Sequence, residues 1–336
     1  MTSYNPFMRT TTAAVVLANV LLCGGSSFAA DVPVAQVSQL RLYSSFWQNL
    51  HHFLWASAWA KRVAAAPGSR SQATPLPPGS DVQMTREDQA TWDSAVAIYD
   101  REFAAKNLLF DRVMTGLKLG LVDRDDRLTG APFDNELKTL LLSAAPIYRK
   151  YWWPAHDAAN RAWIAEADRR TQPHAAGIIA KLTTLYGVPW FTTPVRVDVV
   201  RVAQYQGAYT SDDPTHIVVA SADSSYAGYG ATEMLFHESS HALIQKVEAA
   251  VNAALAASNK RAGDLWHVVL FYTAGEVTRQ QLAASGIEYG QYLYSTGLFN
   301  RAWPRYRAPI ETHVQPYIDG KITLEQMAAN LAAAIP

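Results

Sequence analysis

Cysteine is almost absent from this sequence: Cys23 is the sole example in 336 residues. A disulfide framework is excluded, and so is any metal site built from several thiolates. Neither charge sign is in excess. Twenty-nine Lys and Arg offset twenty-nine Asp and Glu, so the basic surplus of a nucleic-acid binder is missing. So is a block of like charges suited to a membrane surface. No segment reaches the roughly 18 uninterrupted apolar residues of a membrane-spanning helix. There is no Walker-type phosphate loop and no Gly-x-Ser-x-Gly elbow around any serine. Internal repeats and low-complexity tracts are likewise missing.

What is present is core-forming material. Hydrophobic residues make up 49% of the chain, with ten Trp and sixteen Tyr, which excludes global disorder. The length suits one large domain or two modest ones. Near the start, Arg9 precedes an apolar run from Thr12 to Leu22, and Ser27-Phe28-Ala29 follows. A positive residue, an apolar stretch of about eleven and a small-x-small site form an export signal, and the run is too short to anchor the chain. Cleavage after Ala29 predicts a periplasmic or secreted protein with no stable membrane insertion. Leu22 stands before Cys23, where lipid attachment needs a small residue. The mature chain is then free of cysteine, so any metal is held by His, carboxylates and water.

The remainder divides by pattern into residues 30–189, mainly helical, and residues 190–336, with strands followed by helices. Val37 to Ala65 carries Leu40, Leu42, Phe46, Trp47, Leu50, Leu54 and Trp59 at helical spacing. A Pro/Gly/Ser-rich linker spans 67–81. Helices are predicted over Arg86 to Lys106, capped by Asp81 or Thr85, over Asn135 to Lys150, and over Ala155 to Tyr186 with a break near Pro173. Val195 to Val202 and His216 to Ser221 alternate and are rich in β-branched residues, predicting an antiparallel strand pair. One long helix is expected over Ala231 to Ser258, its start helped by Gly230 and Glu233. Another follows from Leu265 to Ala284, capped by Asp264. The fold class is α+β, predominantly helical, with a small antiparallel sheet before the long helix.

That helix carries FHESSHAL, residues 236–243. His237 and His241 are four apart and share a helix face, so both imidazoles reach one ion. Glu238 lies about 100° round from His237. It faces a water on such an ion without being a ligand, and can take that water's proton. Ser239 and Ser240 lie inside the motif but lack the surroundings of a serine nucleophile.

In His237, Glu238 and His241, with the strand HIVVAS ahead of them, the chain resembles the zincin metallopeptidases over residues 190–285. The resemblance implies a bound Zn²⁺, a third protein ligand, and a peptide or protein substrate lying beside the sheet edge. Ile244 and Val247 stand where a metzincin has Gly and His, so a gluzincin-like arrangement is the nearer match. It implies a Glu from a later helix, and Glu276, thirty-five residues after His241, is the expected ligand. Its neighbours Ala274 and Gly275 are small, and a buried Glu wants a partner. The competing reading pairs Glu276 with Arg279. His267 is nine residues before Glu276 and so faces nearly the opposite side of the helix. It is read as hydrogen-bonding a ligand or as a core histidine. Tyr272, one turn before Glu276, is a candidate to bond a ligand or the substrate oxyanion, as are Tyr289, Tyr292, Tyr294, Tyr306 and His313. His51 and His52 are adjacent, point about 100° apart and are read as packing residues or as residues that hydrogen-bond a ligand.

The expected function is an exported zinc-dependent hydrolase with Glu238 as general base. The alternative is a non-catalytic exported protein, stabilised by zinc or binding an apolar ligand in its helical part. An open coordination position beside Glu238 separates the two.

Overall fold

The computed structural model describes residues 31–65, 76–204, 207–261 and 263–335. The expected signal over 1–29 and part of the 67–81 linker lie outside them. Five strands are described: β1 (Ala35–Val37), β2 (Leu40–Tyr43), β3 (Val195–Val200), β4 (Ala208–Ser211) and β5 (His216–Ala220). The helices are α1 (Phe46–Ala65), α2 (Arg86–Glu102), α3 (Arg112–Gly120), α4 (Asn135–Tyr151), α5 (Trp153–Tyr186), α6 (Tyr229–His241), α7 (Gln245–Ala257), α8 (Leu265–Ala283), α9 (Tyr292–Ser295), α10 (Leu298–Ala302), α11 (Arg307–Ile318) and α12 (Leu324–Ala334). The α+β, predominantly helical class is what the structure shows.

The sheet order is β1-β2-β3-β5-β4, and it is mixed. β3 runs parallel to β5, not antiparallel. The hairpin partner of β5 is β4, a short strand lying between the two expected ones in sequence. At the other end β2 runs parallel to β3, with Leu40 opposite Val195. The helix expected from Val37 thus starts only at Phe46, after a strand pair. Leu40 and Leu42 alternate as a strand requires, and a short apolar run fits either period. The boundary expected at residue 189 therefore divides the sequence but not the sheet, which draws strands from both sides of it.

Strand alternation sends side chains to two cores. Val195, Val197, Val199, Ile217 and Val219 join one core with α5, α6, α7, α8, α11 and α12. Tyr209, Val218 and Ala220 join the other with α1 to α4. On that second face Asp198 is fully buried, bonded by Arg196 and by His216 Nε2 at 2.7 Å. Burial alone would raise its carboxyl, but the Arg196 guanidinium and His216 overcome this and hold it low.

Other helices also differ from expectation. α5 runs unbroken through Pro173 for 34 residues, because its packing against α6, α8 and β1 offsets the one hydrogen bond that proline removes. The stretch expected as one helix over Ala231 to Ser258 is two, separated at Ala242 to Ile244. The Ser239 and Ser240 hydroxyls donate back to the carbonyls of Leu235 and Phe236 at 2.7 and 2.6 Å, a pattern that bends helices. Tyr186 holds Ser240 from α5 at 2.9 Å.

Candidate metal centre

The helix bearing the motif is enclosed on every side. All residues from Gly230 to Ser240 are buried, as an interior helix requires. It starts at Gly228, whose φ of 60° favours glycine. Gly230 is needed because a Cβ there would strike the Ser225 carbonyl. Glu233, expected to support this helix start, instead points away from it. It accepts from Tyr289 Oη at 2.7 Å and from the Tyr292 backbone N–H at 2.9 Å.

α6 and α8 pack antiparallel, in a register that three contacts define. Glu233 meets Gly275, His237 meets Phe271, and His241 meets His267. Each step is one turn on both helices, which is why the pairs line up along one seam. At the His241 end the seam brings three imidazoles together. His237, His241 and His267 each offer a nitrogen, and these atoms all lie within 4.8 Å of one another. His237 is buried at 2% exposure, whereas His241 and His267 are half-buried, so the cluster opens toward solvent on their side. Trp266 lies 5.9 Å from the His241 ring and Trp303 5.7 Å from the His267 ring. Both indoles are half-buried. Trp303 is fixed by donating from Nε1 to Asp264 at 2.5 Å, which diverts Asp264 from capping α8.

The His237–His241 pair has the spacing of two zinc ligands. Two nitrogens each 2.0–2.1 Å from one tetrahedral ion stand roughly 3.3 Å apart, and His237 Nε2 and His241 Nε2 are 3.3 Å apart. Burial, with the neighbouring imidazoles, pushes the His237 proton affinity well below the usual range. Burial brings His241 down to about 3 and His267 to about 4. All three rings are therefore neutral near pH 7, with a lone pair free for a ligand bond. His267 Nε2 and His237 Nδ1 are buried with no hydrogen-bond partner. Among the described residues the group consists of these three His, with no further His, Cys, Asp or Glu joining it.

Glu238 faces the sheet. Its Oε2 accepts from Thr210 Oγ1 on edge strand β4 at 2.6 Å. Burial pushes its carboxyl up to about 7, against the Thr210 hydrogen bond and the Lys118 cation. Lys118 lies beyond the strand. The next residue of β4, Ser211, points to the opposite face and accepts from Lys118 Nζ at 2.7 Å. The edge strand is thus pinned from both sides, to the motif helix by Thr210 and to α3 by Ser211.

Glu276, the expected third ligand, is not brought to the histidine pair. It is buried at 3% exposure but saturated elsewhere. Arg279 donates twice to it, at 2.6 and 2.7 Å, with Gln280 at 2.9 Å, Gln291 at 2.5 Å and Gln315 at 3.3 Å. The half-turn offset between positions 267 and 276 sends Glu276 toward α11 and leaves His267 on the α6 seam. His267, expected to bond a ligand or fill the core, is brought by the same geometry beside His237 and His241. Tyr272 follows Glu276, donating to Gln315 Oε1 at 2.7 Å. Of the other oxyanion candidates, Tyr289 is engaged by Glu233 and Tyr294 by Glu311 at 2.8 Å. Tyr306 is buried. Tyr292 stacks on Phe271 with ring centroids 6.0 Å apart, beside the cluster. His51 and His52 lie on the far face of the sheet, bonded to Tyr99 and Tyr209, as packing residues.

Compared with protein-family models, with curated proteins and with solved structures, the chain matches none.

Proposed function

We propose that this protein is a zinc-dependent hydrolase in which His237, His241 and His267 hold the metal and Glu238 is the general base. The observation that carries the reading is the meeting of three neutral imidazoles, two of them from an HExxH helix, at a site with no fourth protein ligand among the described residues. Structural zinc sites are closed by four protein ligands, while catalytic ones keep a position open. A bound zinc supplies Lewis acidity toward a carbonyl and toward water. The protein's own part is proton handling and positioning. Glu238, with a proton affinity raised by burial to about 7, accepts a proton from the attacking water and passes it to the departing amine. Thr210 fixes that carboxylate against the sheet edge. Trp266 and Trp303 form an aromatic rim on the solvent-facing side of the cluster. A peptide is the proposed substrate class, on the resemblance of the HExxH helix and its preceding sheet to the zincins. The sequence of residues 1–29 supports action outside the cytoplasm.

The test is elemental analysis of the purified protein, with a peptide-library cleavage assay. The expected result is about one zinc per chain, lost in His267→Ala. Glu238→Gln keeps the zinc and loses cleavage by about 10²-fold or more. A wild-type protein that holds no zinc after reconstitution overturns the reading.

A further inference from the structure

A histidine that binds a metal is normally oriented by a hydrogen bond from its other ring nitrogen to a carboxylate, carbonyl or water. His237 has no such bond. Its Nε2 faces His241 Nε2, and its Nδ1 is buried without a partner. The second side-chain torsion of histidine is broad, so something else must hold the ring. The contact that does so is Phe271. Its ring centroid lies 3.7 Å from that of His237, with planes inclined by 35°, a closer approach than an ordinary aromatic pair makes. The same phenyl ring lies 4.9 Å from the His267 ring, so it touches two of the three imidazoles. Phe271 is itself clamped. Tyr292 stacks on it at 6.0 Å with an 18° tilt, and Trp303 packs at 5.7 Å. It is 7% exposed.

We infer that Phe271 is a positioning residue for the metal site, holding the His237 imidazole by close ring contact where a hydrogen bond would ordinarily hold it. The inference rests on the zinc-site reading proposed above. It makes the hydrophobic seam between α6 and α8 part of the ligand-orienting shell. A rotation of His237 about its ring torsion is blocked by the phenyl face, so the nitrogen that faces His241 stays there without a polar tether.

The experiment measures zinc affinity of the full mature chain by competition with a chromogenic chelator. The variants are Phe271→Leu, which keeps apolar volume without a ring face, Phe271→Ala, and Phe271→Tyr, which keeps the ring. Val251→Ala, in α7 of the same core, is the control for a general loss of packing. Urea melts of the zinc-free proteins place all four on one stability scale. The expected result is a zinc affinity about 10–100-fold weaker for Leu and Ala, near the wild-type value for Tyr, and unchanged for Val251→Ala despite its lower stability. Wild-type zinc affinity in Phe271→Leu overturns the inference and leaves the metal site standing, and Leu carries this test if Phe271→Ala does not fold. An equal loss in Val251→Ala also overturns it, since the effect then belongs to core packing. A wild type that binds no zinc removes both this inference and the functional reading.

Discussion

Glu233 Oε1 lies 2.8 Å from where a Cβ at Gly275 would stand, so the contact between α6 and α8 closes on bare backbone. Two turns along the same seam, His241 meets His267. Gly275→Ala is expected to push the helices apart at the Glu233 rung, lowering stability by about 1–3 kcal/mol. Because the rungs share one register, it also weakens zinc uptake through His267. Urea denaturation and a zinc titration on the same sample check this. A stability loss with full zinc affinity would mean that the seam yields locally.

Glu276→Ala separates the expected ligand, Glu276, from the proposed one, His267. The carboxylate answers Arg279, Gln280, Gln291 and Gln315 and contributes nothing to the histidine cluster. Arg279 is 41% exposed at its side chain and can turn to water, but the buried Gln291 amide is left unpaired. The expected outcome is full zinc content and a stability loss of about 1–3 kcal/mol. Elemental analysis showing loss of zinc in this variant would put Glu276 back in the site.

Glu233 ties stability to acidity. Burial pushes its carboxyl up to about 7, against the bonds from the Tyr292 N–H and Tyr289 Oη. Its Oε1 and the neighbouring Gln291 Oε1 both lack a donor, which a proton on the carboxyl supplies. A folded-state value above the unfolded one means that the folded chain holds the extra proton. The stabilisation is whole below about pH 4.5 and is lost as pH rises to about 7, about 3 kcal/mol in all. Glu233→Gln copies the neutral acid and flattens that slope. Chemical denaturation of both proteins at pH 5, 6 and 7 gives the difference curve. This cancels the buried imidazoles, such as His52 and His156, which burial brings down to about 4. A difference that stays constant with pH refutes the assignment.

Lys118 acts in a higher window. Burial brings its ammonium down to about 7, with the carboxylates of Asp198, Glu238 and Asp212 opposing. The unfolded chain keeps its proton to higher pH, so stability rises from about pH 7 toward 10, by at most about 1.4 kcal/mol per pH unit. Lys118→Met removes that rise and frees Ser211 on β4. Melting curves at pH 7, 8 and 9 measure it, and parallel curves for the two proteins would contradict a buried, neutralised lysine.

Two of the three clustered imidazoles are legible in the sequence, for a physical reason. His237 and His241 sit on one helix, so their spacing alone places them side by side. His267 could not be read in the same way, because its approach depends on the register between two helices. That register is set by the Gly275 gap and the Phe271 contact, neither of which has a spacing signature. The apolar neighbours of Glu276 imply its burial, and the competing reading of its partner is the one the structure shows: Arg279 one turn away, with three amides, satisfies it. The strands β1 and β2 were hidden because runs of three and four residues carry too few periods to tell a strand from a helix start. Local propensity at Pro173 predicts a break, whereas packing on three neighbours keeps α5 continuous. Thr85, by contrast, caps α2 as its side chain suggests, accepting from the Asp88 N–H at 3.1 Å.

The pairing of Leu40 with Val195 has a consequence for how the molecule assembles. The centre of the sheet closes only when segments far apart in the chain meet, which belongs to the slow end of folding rates. Helices α1 to α5 precede β3 and have no complete sheet to settle on until the later strands arrive. Removal of residues 31–45 would leave one side of β3 without its hydrogen-bonding neighbour. Such an edge is a template for other chains, so a trimmed protein would meet its own copies through the vacated strand position and self-associate.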